Sequence, residues 1–127
     1  ICQQNGIDCT IVHSLDGYDE VSLTSDVKVA SPWGESVYTP GELGFPTHDP
    51  SELWGGETVE QAARIFDAVL EGTASPGQSD CVQANAAFAI RTLDPALSWE
   101  EARAKAQESL ESGRAAERFR CFVELNR

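Results

Sequence analysis

The sequence predicts an α/β chain that divides near residue 46 into a strand-rich part, residues 1–46, and a helical part, residues 47–127. Three observations carry this: a β-branched run lies at 7–15, apolar and polar residues alternate in short stretches between 21 and 39, and from Glu57 the apolar spacing changes from two to the helical three and four. A length of 127 residues suits one domain around one core, which excludes a complete multidomain enzyme.

Residues 7–15, Ile-Asp-Cys-Thr-Ile-Val-His-Ser-Leu, are expected to form a buried strand ending at the turn pair Asp16-Gly17. Residues 21–24, 27–30 and 36–39 alternate apolar with polar positions, separated by Ser25-Asp26 and by Ser31-Pro32-Trp33-Gly34, and so predict a small antiparallel meander with one solvated face. Residues 40–50 are loop, punctuated by Gly41, Gly44, Pro46 and Pro50. A helix follows from Glu57, with Val59, Ala62, Ala63, Phe66, Val69 and Leu70 on one face and Gly72 to stop it. The next helix, about 78–93, opens near Ser79-Asp80 and is apolar on almost every side, which predicts burial inside a larger body. Ser98 with Glu101 is a capping box that opens a third helix running to Ser112-Gly113, and a last helix covers 114–125. No internal repeat is visible.

Twenty-one acidic against nine basic residues leave a net charge of -12, which disfavours nucleic acid and anionic membrane surfaces as partners. No apolar stretch approaches the roughly 18 residues of a membrane span. Lys28 and Lys105 are the only lysines beside seven arginines, a bias that suits a high-salt habitat as well as an ordinary acidic cytoplasmic protein. Cys2, Cys9, Cys81 and Cys121 have no zinc-ligand spacing and fit reduced cysteines of a cytoplasm; a Cys2–Cys9 disulfide is the alternative for a secreted protein, for which no leader is seen. The start at Ile1 and the lack of any Met predict an N-terminus made by truncation or processing.

Chemistry concentrates in the run His13-Ser14-Leu15-Asp16-Gly17-Tyr18-Asp19-Glu20, directly after a strand, where ligand sites of α/β sheets lie. Adjacent carboxylates in a turn, Asp19 and Glu20, can aim at one hard cation, and Mg²⁺ needs only one or two protein acids when substrate phosphates and waters complete its shell. Solvated turn acids are the competing reading, and in a chain this acidic residue chemistry alone favours it. His13 and Ser14 lack a third residue to orient the imidazole, so no catalytic residue is assigned. His48 is expected to be exposed in its loop, Gly55-Gly56-Glu57 to serve helix entry, and Trp33, Trp54 and Trp99 to anchor hydrophobically.

The run Val12-His13-Ser14-Leu15-Asp16-Gly17-Tyr18-Asp19-Glu20-Val21-Ser22 resembles the V-H-G-x-D-G-L-D-E-I-S segment of the anthranilate phosphoribosyltransferase family. Leu53-Trp54-Gly55-Gly56-Glu57 is similar to its L-x-G-G-D/E, and Ile65-Phe66-Asp67-Ala68-Val69-Leu70-Glu71-Gly72 to its I-x-x-x-V-L-x-G. Asp80-Cys81-Val82-Gln83-Ala84-Asn85-Ala86-Ala87 resembles D-x-V-x-x-N-A-A, Ser98-Trp99-Glu100-Glu101 resembles S-x-E-E, and Glu108-Ser109-Leu110-Glu111-Ser112-Gly113 resembles E-x-L-x-S-G. The six motifs fall in the family's order over about residues 11–125.

The resemblance implies that residues 1–127 are the C-terminal part of the catalytic α/β domain, of the nucleoside phosphorylase/phosphoribosyltransferase type. It implies transfer of the phosphoribosyl group of phosphoribosyl pyrophosphate to anthranilate in tryptophan biosynthesis, with Mg²⁺ on Asp19 and Glu20 and a homodimer through a separate helical domain. Ser14 stands where the family usually has glycine and Tyr18 where it has Leu or Ile. The family's G-T-G-G-D phosphate loop, its N-x-S/T and K-H-G-N segments and its anthranilate-contacting arginine would lie upstream, so the resemblance implies that the isolated chain is inactive. A non-catalytic acidic interaction module with the same half-fold and a nucleoside phosphorylase relative are the alternatives.

Overall fold

The computed structural model describes residues 2–127. Three strands, β1 (Ile11–Ser14), β2 (Val27–Ser31) and β3 (Gly34–Tyr38), form an antiparallel meander in the order β1-β2-β3. Four helices follow: α1 (Val59–Glu71), α2 (Pro76–Leu93), α3 (Trp99–Glu111) and α4 (Arg114–Leu125), with a one-turn 3₁₀ helix at Pro50–Leu53 before α1. Among the described residues no helix is long and apolar enough to cross a membrane.

The meander forms over β2 as its pattern predicts, whereas β3 starts at Gly34 in place of Ser36 and leaves Val37 exposed, because the turn takes only Pro32 and Trp33. Val27 and Val29 point into the core, while Lys28 points out and pairs with Glu35 at 3.5 Å. Two further expectations are corrected. The run at 7–15 supplies only the four residues of β1, and β1 is an edge strand: it pairs with β2 alone, and Ile11 is 62% exposed. Its β-branched content reads as buried because such residues fit a pleated surface, but nothing among the described residues covers its outer face. Residues 21–24 form no strand, although Val21 and Leu23 point inward as alternation requires. The backbone of Val21 and Ser22 is satisfied by side chains of α2 and β1 in place of a neighbouring strand, and the Leu23 carbonyl by the His48 N–H.

One core cluster joins Val21, Leu23, Val27 and Val29 to Leu43, Phe45, Ala84 and Phe88, with Trp99 packed against it. Trp99 stacks on Phe88 with ring centroids 4.6 Å apart and donates its indole N–H to the Leu43 carbonyl, the polar handle a buried tryptophan needs. A second cluster, Ala87, Ala102 and Ala106, sits between α2 and α3, where small side chains allow the helices to approach closely.

Helix ends follow their caps. Thr58 caps α1, and Gly72, at φ 72°, closes it in the left-handed region where glycine carries no Cβ penalty. The start of α2 lies at Pro76, not near 78: Ser75 caps it, Gln78 completes a capping box and Pro76 occupies the first turn. The Ser98/Glu101 box opens α3 as predicted. On α1 the predicted apolar face is largely uncovered; of its members only Val69 is buried.

Candidate functional site

The segment between β1 and β2 has no regular secondary structure, yet hydrogen bonds fix it at both ends. Ser14, at the end of β1, donates its backbone N–H to the Tyr18 carbonyl, and its carbonyl accepts from Gly17 N–H, closing the first turn. Its hydroxyl is fully buried. It donates to the Glu20 carbonyl at 2.6 Å and accepts from the Ser22 N–H and the Ser22 hydroxyl, each at 3.1 Å. Asp16 accepts from the Thr24 hydroxyl, and that bond, with a further one from Ser25, holds its carboxyl below the ordinary value of 3.8.

Beyond Glu20, α2 takes over. Asn85 Oδ1 accepts from Val21 N–H at 3.0 Å, and Asn85 Nδ2 donates to the Val21 carbonyl at 2.9 Å and to the Cys81 carbonyl at 2.8 Å. The Cys81 thiol donates to the Ser22 carbonyl at 2.7 Å. Burial first, and then the negative charges of Glu20, Asp80 and Glu52, push the Cys81 thiol up to about 12. Cys81 thus acts as a hydrogen-bond donor to the loop and packs against the core.

Asp19 and Glu20 are exposed, and their carboxylates have no hydrogen-bond or ion-pair partner among the described residues. Glu20 lines an apolar cleft of about 340 Å³ whose walls include Phe66 and Val69 of α1 and Cys81 and Val82 of α2. Asp19 precedes it and lines none of the described clefts. Carboxylate oxygens are hard donors of the kind that Mg²⁺ accepts. Among the described residues no group of three or more His, Cys, Asp or Glu side chains forms a metal cage, so a cation there would draw its remaining ligands from substrate oxygens and water.

The other residues singled out in the sequence are separated from this pair. His13 is exposed on β1, on the face opposite the buried Ser14 hydroxyl, so the two do not meet. His48 departs from expectation: it is 7% exposed, with Nε2 2.9 Å from Asp80 Oδ2 and Nδ1 3.3 Å from Glu52 Oε2. Its backbone N–H donates to the Leu23 carbonyl. Gly77 leaves room for this cluster, since a Cβ there would stand 2.9 Å from Glu52 Cβ and 3.5 Å from His48 Cγ. No local signal marks His48, because its partners lie four residues ahead and in another helix. Gly55-Gly56-Glu57 leads into α1, with Glu57 N–H bonded to Gln61 Oε1 at 2.7 Å, as helix entry requires. Trp33 lies under the Arg91 guanidinium at 4.4 Å, while Trp54 is exposed.

A three-stranded antiparallel meander, an acidic segment after its first strand and a run of four helices make up a small α/β unit. The chain belongs to the glycosyl transferase family, a/b domain, which matches residues 5–116. It is 56% identical over 124 residues to the anthranilate phosphoribosyltransferase of Bacteroides fragilis (strain YCH46), covering 98% of this chain and 38% of that protein. The protein of the same name from Cytophaga hutchinsonii is 49% identical over 113 residues, 89% of this chain and 34% of its own length. The crystal structure of anthranilate phosphoribosyltransferase from Thermus thermophilus superposes with a TM-score of 0.80 at 28% identity, over 96% of this chain and 37% of that one. The Saccharomyces cerevisiae enzyme in complex with PRPP and Mg gives 0.80 at 26% identity, over 94% and 34%. The chain thus spans a little over a third of the length of these relatives.

Proposed function

We propose that these 127 residues are the C-terminal part of the catalytic α/β domain of an anthranilate phosphoribosyltransferase, a cytoplasmic enzyme of tryptophan biosynthesis. The observation that carries this is the 56% identity over 98% of the chain to a protein of that name. The relatives described above all bear the name, which favours the transferase over a nucleoside phosphorylase or a non-catalytic module. The substrates are phosphoribosyl pyrophosphate and anthranilate, and the whole protein is a homodimer through its helical domain.

In this reading Asp19 and Glu20 hold Mg²⁺, supported by their free carboxylates and by a yeast relative crystallised with PRPP and Mg. Bound there, the cation would supply charge neutralisation for the leaving pyrophosphate. This chain carries a net charge of -12 and would otherwise repel that substrate. No side chain of this chain serves as nucleophile. The loop residues position and the acids bind, the remaining substrate contacts come from the rest of the whole protein, and a transfer in which the anthranilate amine displaces pyrophosphate at the ribose carbon needs no nucleophile from this chain.

The test is a hybrid in which this chain replaces the matching 38% of the Bacteroides fragilis enzyme, assayed by loss of anthranilate fluorescence with phosphoribosyl pyrophosphate. The hybrid should turn over. Asp19→Asn and Glu20→Gln should each lower kcat/KM by about 100-fold or more, since charge stabilisation by a bound cation contributes several kcal/mol. The isolated chain should show no turnover. A folded hybrid without activity counts against the transferase reading, and an active hybrid indifferent to both substitutions counts against the metal pair.

A further inference from the structure

We infer that Asn85 is a positioning residue for Asp19 and Glu20: its side-chain amide stands in for a neighbouring strand and locks the backbone that carries the two acids. This rests on the reading of that pair as the cation ligands. The acidic segment is irregular, with no strand beside it, so an exposed polar stretch of this kind would ordinarily sample many conformations. Val21, the residue after Glu20, instead has both backbone groups engaged by one amide, N–H to Oδ1 at 3.0 Å and C=O from Nδ2 at 2.9 Å. That is the two-bond exchange of an antiparallel residue pair, made by a side chain.

The arrangement specifies asparagine. The second Nδ2 hydrogen goes to the Cys81 carbonyl at 2.8 Å, so both donors and one acceptor lone pair are used, all on backbone. Turning the amide over would set its oxygen against two carbonyls, so the orientation is fixed by the bonds themselves. Aspartate would keep the acceptor, lose both donors and face its charge toward those carbonyls. Leucine would keep the volume and lose all three bonds. The anchor is firm because Asn85 lies mid-way along α2 between buried Ala84 and Ala87. The Ser14 hydroxyl on the Glu20 carbonyl completes a two-sided grip, one side from β1 and the other from α2.

The experiment compares this chain with Asn85→Leu, Asn85→Asp and Ala106→Gly. The last removes a buried methyl in α3 from a cluster that contains no residue of the loop, and serves as a control for general destabilisation. Two readouts are taken well below each variant's thermal midpoint: backbone order parameters of Asp19 and Glu20, and Mn²⁺ affinity from paramagnetic broadening of their amide signals. With Asn85 intact the pair should be ordered, at about 0.85, falling below about 0.6 in both Asn85 variants and staying unchanged in Ala106→Gly. Mn²⁺ affinity should drop about 10-fold or more in the Asn85 variants alone, the usual size for groups that hold a ligand in place. Equal loosening in Ala106→Gly, or Asn85 variants with unchanged order and affinity, overturns the inference while leaving the metal pair standing. If the parent chain shows no broadening at Asp19 and Glu20 but the order parameters behave as expected, the positioning role stands and the metal assignment falls.

Discussion

Leu23 combines a φ of 59° with a side chain 1% exposed, so its backbone sits in the left-handed region while its side chain fills the core. A non-glycine residue there carries about 1–2 kcal/mol of strain. Truncation separates the two effects. Leu23→Ala loses the burial and keeps the strain, and should cost about 2–5 kcal/mol. Leu23→Gly removes one more carbon yet relieves the strain, so after its extra chain entropy it should be more stable than the alanine variant by about 0.5–1 kcal/mol. Chemical denaturation of both variants decides this, and an alanine variant at least as stable as the glycine one refutes it. Cys81 gives a second expectation. A thiol moved from the ordinary 9.0 to about 12 holds about a thousandfold less thiolate at pH 8, so iodoacetamide should modify the exposed Cys121 long before Cys81 in peptide-resolved mass spectrometry. Comparable rates at the two sites would show that burial and the neighbouring acids do not keep the Cys81 thiol protonated. At this scale the acids are legible as candidates, from their adjacency after a strand together with the family resemblance. The groups that hold them are not, because Ser14, Asn85 and Cys81 act through backbone atoms of residues 6 to 64 positions away, and sequence spacing carries no trace of such pairings.

Helix ends are legible wherever the cap chemistry is local. Ser98 with Glu101 and Gly72 read directly from the chain because each acts within one turn. The start of α2 falls earlier than expected because Ser79-Asp80 offers a cap of its own, and Ser75 with Pro76 and Gln78 offers a better one. Residues 21–24 show the limit of alternation: period two reports which side chains point inward, not what the backbone pairs with. The capping box of α3 also makes a prediction about acid. The Ser98 backbone N–H, and then its hydroxyl, hold the Glu101 carboxyl below its ordinary 4.5. A group depressed on folding stabilises the fold above its unfolded value and loses that contribution as pH falls through the folded one. Glu101→Gln keeps a side-chain acceptor for the box and has nothing to titrate. The thermal midpoint of the parent should therefore exceed that of the variant at pH 6, and the gap should close as pH drops below 4.5. A gap independent of pH would mean that the charge of Glu101 contributes nothing to the cap.

At the scale of the whole molecule the all-round apolarity of α2 predicts a larger body, and the structure leaves Val82 and Leu93 of that helix exposed, together with Phe66 on α1 and Phe119 and Phe122 on α4. We propose that this surface, on a chain that spans 38% of the length of its Bacteroides relative, is covered in the whole protein. Two opposing forces then govern the chain in solution. Apolar burial favours association, and a net charge of -12 opposes it. Salt acts on the second force alone at moderate strength: the Debye length falls from about 30 Å at 0.01 M to about 3 Å at 1 M, so repulsion between two copies is largely removed while their apolar attraction is kept. The chain should therefore sediment as a monomer at about 0.01 M NaCl and as larger species at about 1 M. Val82→Asp, which puts a charge on the wall of the cleft beside Glu20, should shift that transition to higher salt. Sedimentation velocity across the series tests both statements. A parent chain that remains monomeric at about 1 M NaCl would show that charge was never what kept the copies apart and that the exposed aromatics are too dispersed to bind one another. Association that is strongest at low salt would point instead to ion pairing between copies, for which the seven arginines supply the only plentiful cations.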